Sequence, residues 1–199
     1  QNKGQYYTER PVVKFMWDRV GYTNNKAFFR EENKKLVPRK VFDPATGSGG
    51  FLVEAARRLR ELSSPKEKSF DDWLLLRQTI FFGLYGVELS PFPYYITEIN
   101  LLIQLTPVIR ELKARKQVYK ERTPIAVIQG DSLRLFNQPT ELFVKEETKS
   151  YNTINHAVRF GRDSGKQSIY EKMLSSNYFD YCLANPPYIR EDDHKELFR

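Results

Sequence analysis

Residues 41–55, VFDPATGSGGFLVEA, run an apolar strand into an acid, a glycine turn and an amphipathic stretch without a break. Few folds use these four pieces in that order. Gly47, Gly49 and Gly50 let the backbone turn tightly and come close to a ligand, where a Cβ would clash. Phe51, Leu52, Ala55, Ala56 and Leu59 then fall on one helical face, which predicts a helix over about 50–62. A strand feeding directly into a helix is half of a parallel βαβ unit.

The remainder of the chain repeats that alternation. The spacing predicts a short helix over 11–20, with Pro11 suited to the first turn. A polar, basic connection over 23–40 leads to the first strand, near 40–42. A second helix follows over DDWLLLRQTIFF, with Asp71 or Asp72 near its start, and then come the strand LYGVEL, a long helix over 92–112, the strand IAVIQG and the strand YFDYCLA. Four strand and helix alternations predict an α/β fold with a mainly parallel sheet. Between residues 133 and 177 the sequence turns polar and loses periodicity, as expected of a surface insertion.

Each strand ends in residues with chemistry to offer. The glycine turn lacks the Lys of a Walker phosphate loop, and G-S-G-G departs from the G-x-G-x-x-G of dinucleotide folds. Asp43 at the strand end would repel a pyrophosphate but suits a cationic amine or sulfonium, which points to a sulfonium nucleoside. Glu88, ending LYGVEL, can accept both hydroxyls of a ribose. Asp131, after IAVIQG, can accept from an exocyclic amine such as that of adenine. The letters GDSL also name a family of serine hydrolases, whose motif opens the domain and needs a distal Asp and His. Finally, YFDYCLA ends in Asn185, Pro186, Pro187 and Tyr188. Asn185 brings an acceptor oxygen, the prolines hold the chain extended with no N–H to donate, and Tyr188 offers a stacking face. Acceptors converging on a planar amine can pull its lone pair out of conjugation. Taken singly, each motif also reads as a solvated acid, a tight turn or a strand cap.

Composition narrows the setting. With 199 residues and 40% hydrophobic content, the chain can build a core. A net charge of +7 makes a polyanionic partner plausible. The single cysteine, Cys182, implies no disulfide framework and no metal cluster, so no metal is expected. No apolar stretch reaches the length of a membrane span, and QNKGQYYTER lacks the apolar centre of a signal peptide. The expectation is a cytoplasmic protein without a membrane partner. The first residue is Gln and the last segment, EDDHKELFR, is charged and helix-like, as in a piece of a longer chain.

In their order along the chain, YYTERPVVKFM, DPATGSGGFLVEA, YGVELSPFPYYITEINLLIQ, GDSL and NPPY resemble the S-adenosylmethionine-dependent DNA adenine-N6 methyltransferases of the gamma type. The resemblance is strongest to type I modification subunits and fused restriction-methylation enzymes. It implies a Rossmann-like methyltransferase sheet, here truncated after the fourth strand, with strand order third, second, first, fourth. Residues 1–39 would form an N-terminal helical segment and connection, and 40–199 a partial catalytic domain with a polar insertion at about 133–177. It further implies that Tyr7 and Thr8 touch the methionine end of the cofactor, that Asp43, Ala45, Gly47 and Gly49 line that end, and that Glu88 holds the ribose. Asp131, with Ser132 beside it, would meet the cofactor adenine. Asn185, Pro186, Pro187 and Tyr188 would hold a flipped target adenine. Double-stranded DNA is the implied partner, with a specificity or restriction subunit or domain. Two positions depart from the family pattern: Glu9 stands where Pro usually follows the Tyr-Thr pair, and Ser132 where an aromatic is common. Methyl transfer to RNA or to a protein glutamine amide, and a non-catalytic DNA-binding subunit, are the competing readings.

Overall fold

The computed structural model describes residues 7–63, 68–115, 125–132, 158–159, 169, 171, 173 and 179–186. Its centre is a five-stranded sheet. Strand β3 (Val41–Asp43) pairs in parallel with β4 (Leu84–Glu88) on one side and with β7 (Tyr181–Cys182) on the other, and β4 pairs in parallel with β5 (Val127–Gly130). The four parallel strands therefore stand in the order β5-β4-β3-β7, the third, second, first, fourth order anticipated above. A further short strand, β6 (Val158–Arg159), adds antiparallel to β5 and comes from within the polar 133–177 segment.

Period-two alternation decides which side chains go to which face. Val41, Leu84 and Val127 point to one face and join a core with the helices, while Phe42, Tyr85, Val87, Ala126 and Ile128 point to the other. Ile169 and Met173, four residues apart, bury against that second face, and Phe179 stacks on Phe42 with centroids 4.6 Å apart. Both faces are thus covered, as a parallel sheet requires.

The helices on the first face are α1 (Arg10–Arg19), α3 (Gly50–Leu62), α4 (Phe70–Phe82) and α5 (Pro91–Ala114). The α3 bounds coincide with those its apolar spacing predicts. In α4 the start is set by Ser69, whose hydroxyl accepts from the Asp72 N–H while the Asp72 carboxylate accepts from the Ser69 N–H, a reciprocal cap. Helix α1 is clamped to α3 by the buried Arg58 guanidinium, which donates to Glu54 at 2.9 Å, to Asp18 at 2.7 Å and to the Lys14 carbonyl at 3.1 Å. Trp17 adds a bond from Nε1 to the Phe51 carbonyl at 3.0 Å. Among the described residues, no helix is long and apolar enough to cross a membrane.

The basic connection before β3 is more structured than its composition suggests. It holds a short helix, α2 (Asn25–Phe28), capped by the Asn24 side chain, and a hairpin of β1 (Phe29–Glu32) and β2 (Lys35–Pro38). Asn33 and Lys34 make its two-residue turn with φ of 51° and 61°, the left-handed pair that suits strand twist. The hairpin region fixes β7: Asp180 accepts from Arg30 at 3.0 Å, from Arg39 at 2.8 Å and from the Lys40 N–H at 2.7 Å.

Gly49 caps α3 with φ of 86°, and a Cβ there would meet Thr97 Cγ2 at 2.8 Å. Gly49→Ala should therefore lower stability by about 2 kcal/mol, combining the left-handed penalty with overpacking. Thr97→Ser removes the offending methyl and keeps the hydroxyl, so it should recover part of that loss. Thermal melting of the single and double variants checks this, and equal melting of parent and Gly49→Ala would contradict it.

Candidate functional site

Because β3, β4, β5 and β7 run in parallel, their carboxyl ends lie along one edge of the sheet, and Asp43, Glu88, Asp131 and Asn185 lie at or just past those ends. Asp43 ends β3, and Glu88 ends β4. Gln129 pairs with Glu88 across the sheet, which brings half-buried Asp131 and Ser132 just past the neighbouring strand end. Asn185 and Pro186 follow three and four residues after Cys182, the last residue of β7. Pro187 and Tyr188 lie outside the described residues.

The glycine turn between β3 and α3 is strapped from its neighbours. Thr46 N–H donates to the Val87 carbonyl at 3.0 Å, and Gly47 N–H donates to Glu88 Oε2 at 2.8 Å. From the other side α5 reaches over: Thr97 Oγ1 donates to the Gly47 carbonyl at 2.8 Å and Asn100 Nδ2 to the Ser48 carbonyl at 3.0 Å. Thr97 and Asn100 escaped the sequence reading, although two polar residues three apart in the apolar stretch ITEINLLIQ were the available signal. Glu88 also accepts the Ser90 N–H through Oε1 at 2.9 Å, at the start of α5. Each of its oxygens thus takes one backbone donor and keeps room for another.

Asp43 is fully buried beneath the turn. Its Oδ1 accepts the Ala45 N–H at 3.0 Å, whereas among the described residues Oδ2 finds no hydrogen-bond partner and the buried Thr46 hydroxyl finds none either. Burial pushes the Asp43 carboxyl up to about 7 from 3.8, against the Ala45 bond that lowers it and with the help of the Glu88 charge. The acid at the base of the turn therefore holds its proton more tightly than an exposed carboxyl, and a positive charge arriving nearby would favour its ionised form.

The N-terminal pair divides. Tyr7 is largely exposed, at 68%, while half-buried Thr8 meets the far end of the chain: Asn185 Nδ2 donates to Thr8 Oγ1 at 3.1 Å. That bond occupies the amide nitrogen of Asn185 and leaves Oδ1 as an acceptor.

The sequence profile of the MmeI DNA-methyltransferase domain family matches residues 20–197. The chain belongs to that family. As an MmeI-type domain it is similar to the adenine-specific methyltransferase PglX of Streptomyces coelicolor, with 26% identity over 183 residues, 92% of this chain and 14% of that protein. To the type I restriction enzyme EcoEI methylase subunit of Escherichia coli it is 31% identical over 102 residues, 51% of this chain and 17% of the other. Among solved structures it resembles the ATP-dependent Type ISP restriction-modification enzyme LlaBIII bound to DNA, with a TM-score of 0.58 and 18% identity over 95% of this chain and 11% of that one. The DrdV-DNA complex gives a TM-score of 0.54 and 17% identity over 96% and 15%. At these identities the structural likeness is one of fold. The MmeI-type domain described here spans less than a fifth of the length of each of these four proteins.

The buried acid makes a pH prediction. Between about 3.8 and 7 the folded chain holds a proton on Asp43 that the unfolded chain has released. Its contribution to stability is complete below the unfolded value and is lost as pH rises through about 7. Asp43→Asn removes the titration, so without ligand the variant should gain melting temperature over the parent as pH rises from about 4 to about 8. Scanning fluorimetry across that range checks it, and a pH-independent difference would contradict the assignment.

Proposed function

We propose that this domain transfers a methyl group from S-adenosylmethionine to the N6 amine of an adenine flipped out of DNA, within a restriction-modification system. The observation that carries this reading is the convergence of the strapped glycine turn, Glu88, Asp131 and Asn185 on one edge of a parallel sheet, where α/β folds bind ligands. That PglX is an adenine-specific methyltransferase and that EcoEI is a type I restriction enzyme supports adenine as the target and a restriction-modification setting, and the DNA bound by LlaBIII and DrdV supports the substrate. A net charge of +7 agrees with a polyanion.

The residues fit the cofactor. Glu88 keeps one acceptor site on each oxygen for two ribose hydroxyls. Asp131, with Ser132 beside it, stands one strand further along, suited to the adenine amine. Asp43, sealed from solvent, would act through its field: its ionised form would stabilise a cation held near the turn by Ala45, Gly47 and Gly49. Tyr7 and Thr8 belong at the amino-acid end. S-adenosylmethionine supplies a methyl group on a cationic sulfur, made electrophilic by that charge.

The chain's own part is to prepare the nucleophile. Asn185 Oδ1 and the carbonyls of the following prolines accept hydrogen bonds from the two amine protons, which turns the nitrogen lone pair away from the ring and toward the methyl. Pro186 and Pro187 bring no N–H to compete for that amine, and Tyr188 would offer a face for the flipped base to stack on.

The test uses the full-length protein and labelled cofactor against unmethylated DNA, RNA and a release-factor substrate. Label should appear in DNA as N6-methyladenine. Asn185→Ala should abolish turnover with little change in cofactor affinity, whereas Glu88→Ala should weaken cofactor binding by about 1–3 kcal/mol. Label on RNA or on a glutamine amide alone, or robust turnover by Asn185→Ala, would overturn the reading.

A further inference from the structure

The bond between Asn185 and Thr8 joins residues 177 positions apart, and it bears on which end of the catalytic amide faces the substrate. With Nδ2 engaged by Thr8, Oδ1 remains to accept from a target amine. The reverse orientation would present an NH2 group to another NH2 group, and both can only donate. A threonine hydroxyl both donates and accepts, so Thr8 alone permits either orientation. Selection requires that the Thr8 proton be taken by a group that only accepts. The hydroxyl oxygen is then left with lone pairs alone, and only Nδ2 can bond to it.

On the methyltransferase reading, which puts Thr8 at the amino-acid end of the cofactor, that end would supply such a group. It lies two residues before α1, and α1 packs on the start of α3: a Cβ on Gly50 would lie 3.7 Å from Val13, and Trp17 bonds the Phe51 carbonyl at 3.0 Å. Thr8 therefore lies between a helix seated on the start of α3 and the loop that carries Asn185. A carboxylate is acceptor-only, and the cofactor ends in one.

We propose that Thr8 is a positioning residue that couples cofactor occupancy to catalysis: the Thr8 hydroxyl would donate a hydrogen bond to the cofactor carboxylate, Thr8 Oγ1 accepts from Asn185 Nδ2, and Asn185 Oδ1 is thereby turned to the target amine. The inference rests on the methyltransferase reading above. It makes cofactor and target base bind cooperatively through a one-way chain of hydrogen bonds.

The experiment measures capture of a flipped base by full-length protein, using DNA with 2-aminopurine at the target position and fluorescence titration. S-adenosylhomocysteine keeps the carboxylate, and 5′-methylthioadenosine lacks it. In the parent and in Thr8→Ser, saturating S-adenosylhomocysteine should tighten capture by about 5- to 100-fold, the usual range of coupling between two sites. Methylthioadenosine should not tighten it, and Thr8→Val should respond to neither ligand and lose kcat. The proposal is overturned if Thr8→Val keeps the tightening, if Thr8→Ser fails to restore it, or if methylthioadenosine serves as well as S-adenosylhomocysteine. A parent that captured no flipped base under any condition would overturn the catalytic reading itself, a separate result.

Discussion

The turn between β3 and α3 has to hold backbone open to a ligand, and an open turn has few contacts of its own. Its rigidity is borrowed from β4, through Val87 and Glu88, and from α5, through Thr97 and Asn100. Gly49 can take its left-handed φ only because it has no side chain, and Thr97 packs into the space that a Cβ would fill. Order, register and side-chain choice on three elements converge on about six residues of chain. The rest of the sheet holds those three elements in place.

This arrangement gives single residues two jobs. Glu88 is read as a ribose acceptor, yet in the protein itself it anchors Gly47 and the start of α5. Asp43 supports the turn through the Ala45 N–H while its second oxygen stays buried and finds no partner among the described residues. A buried carboxyl of this kind costs stability when ionised, and binding of the cationic cofactor proposed above would give a physical reason to keep it. Asp180, an acid in the middle of an apolar run, serves structure alone: it gathers Arg30, Arg39 and the Lys40 N–H, which fixes the strand that presents Asn185.

Much of the sheet could be read from the sequence, because period-two strands and the period of α3 are written in local composition. Residues 50–62 form the expected helix, and the four parallel strands stand in the expected order. The hairpin at 29–38 could not be read, since its turn is Asn33-Lys34 without glycine and its strands carry charge on half their positions. The burial of Asp43 was hidden too, because a strand-end acid looks the same whether it faces solvent or lies under a turn. The pairing of Thr8 with Asn185 depends on how α1 seats on α3, through Arg58 and Trp17, and no local pattern encodes a contact between the two ends of a chain.

If the site takes the cationic cofactor proposed above, Asp43, whose carboxyl is pushed up to about 7 by burial, should give up its proton on binding. Calorimetric titration of the full-length protein with S-adenosylmethionine, in two buffers of different ionisation enthalpy, counts that proton directly. At about pH 6, one unit below the raised Asp43 value, binding should release close to one proton, and at about pH 8.5 far less. The release at the lower pH should vanish in Asp43→Asn. Binding that released no proton at about pH 6, or released the same number in the Asn variant, would contradict the account.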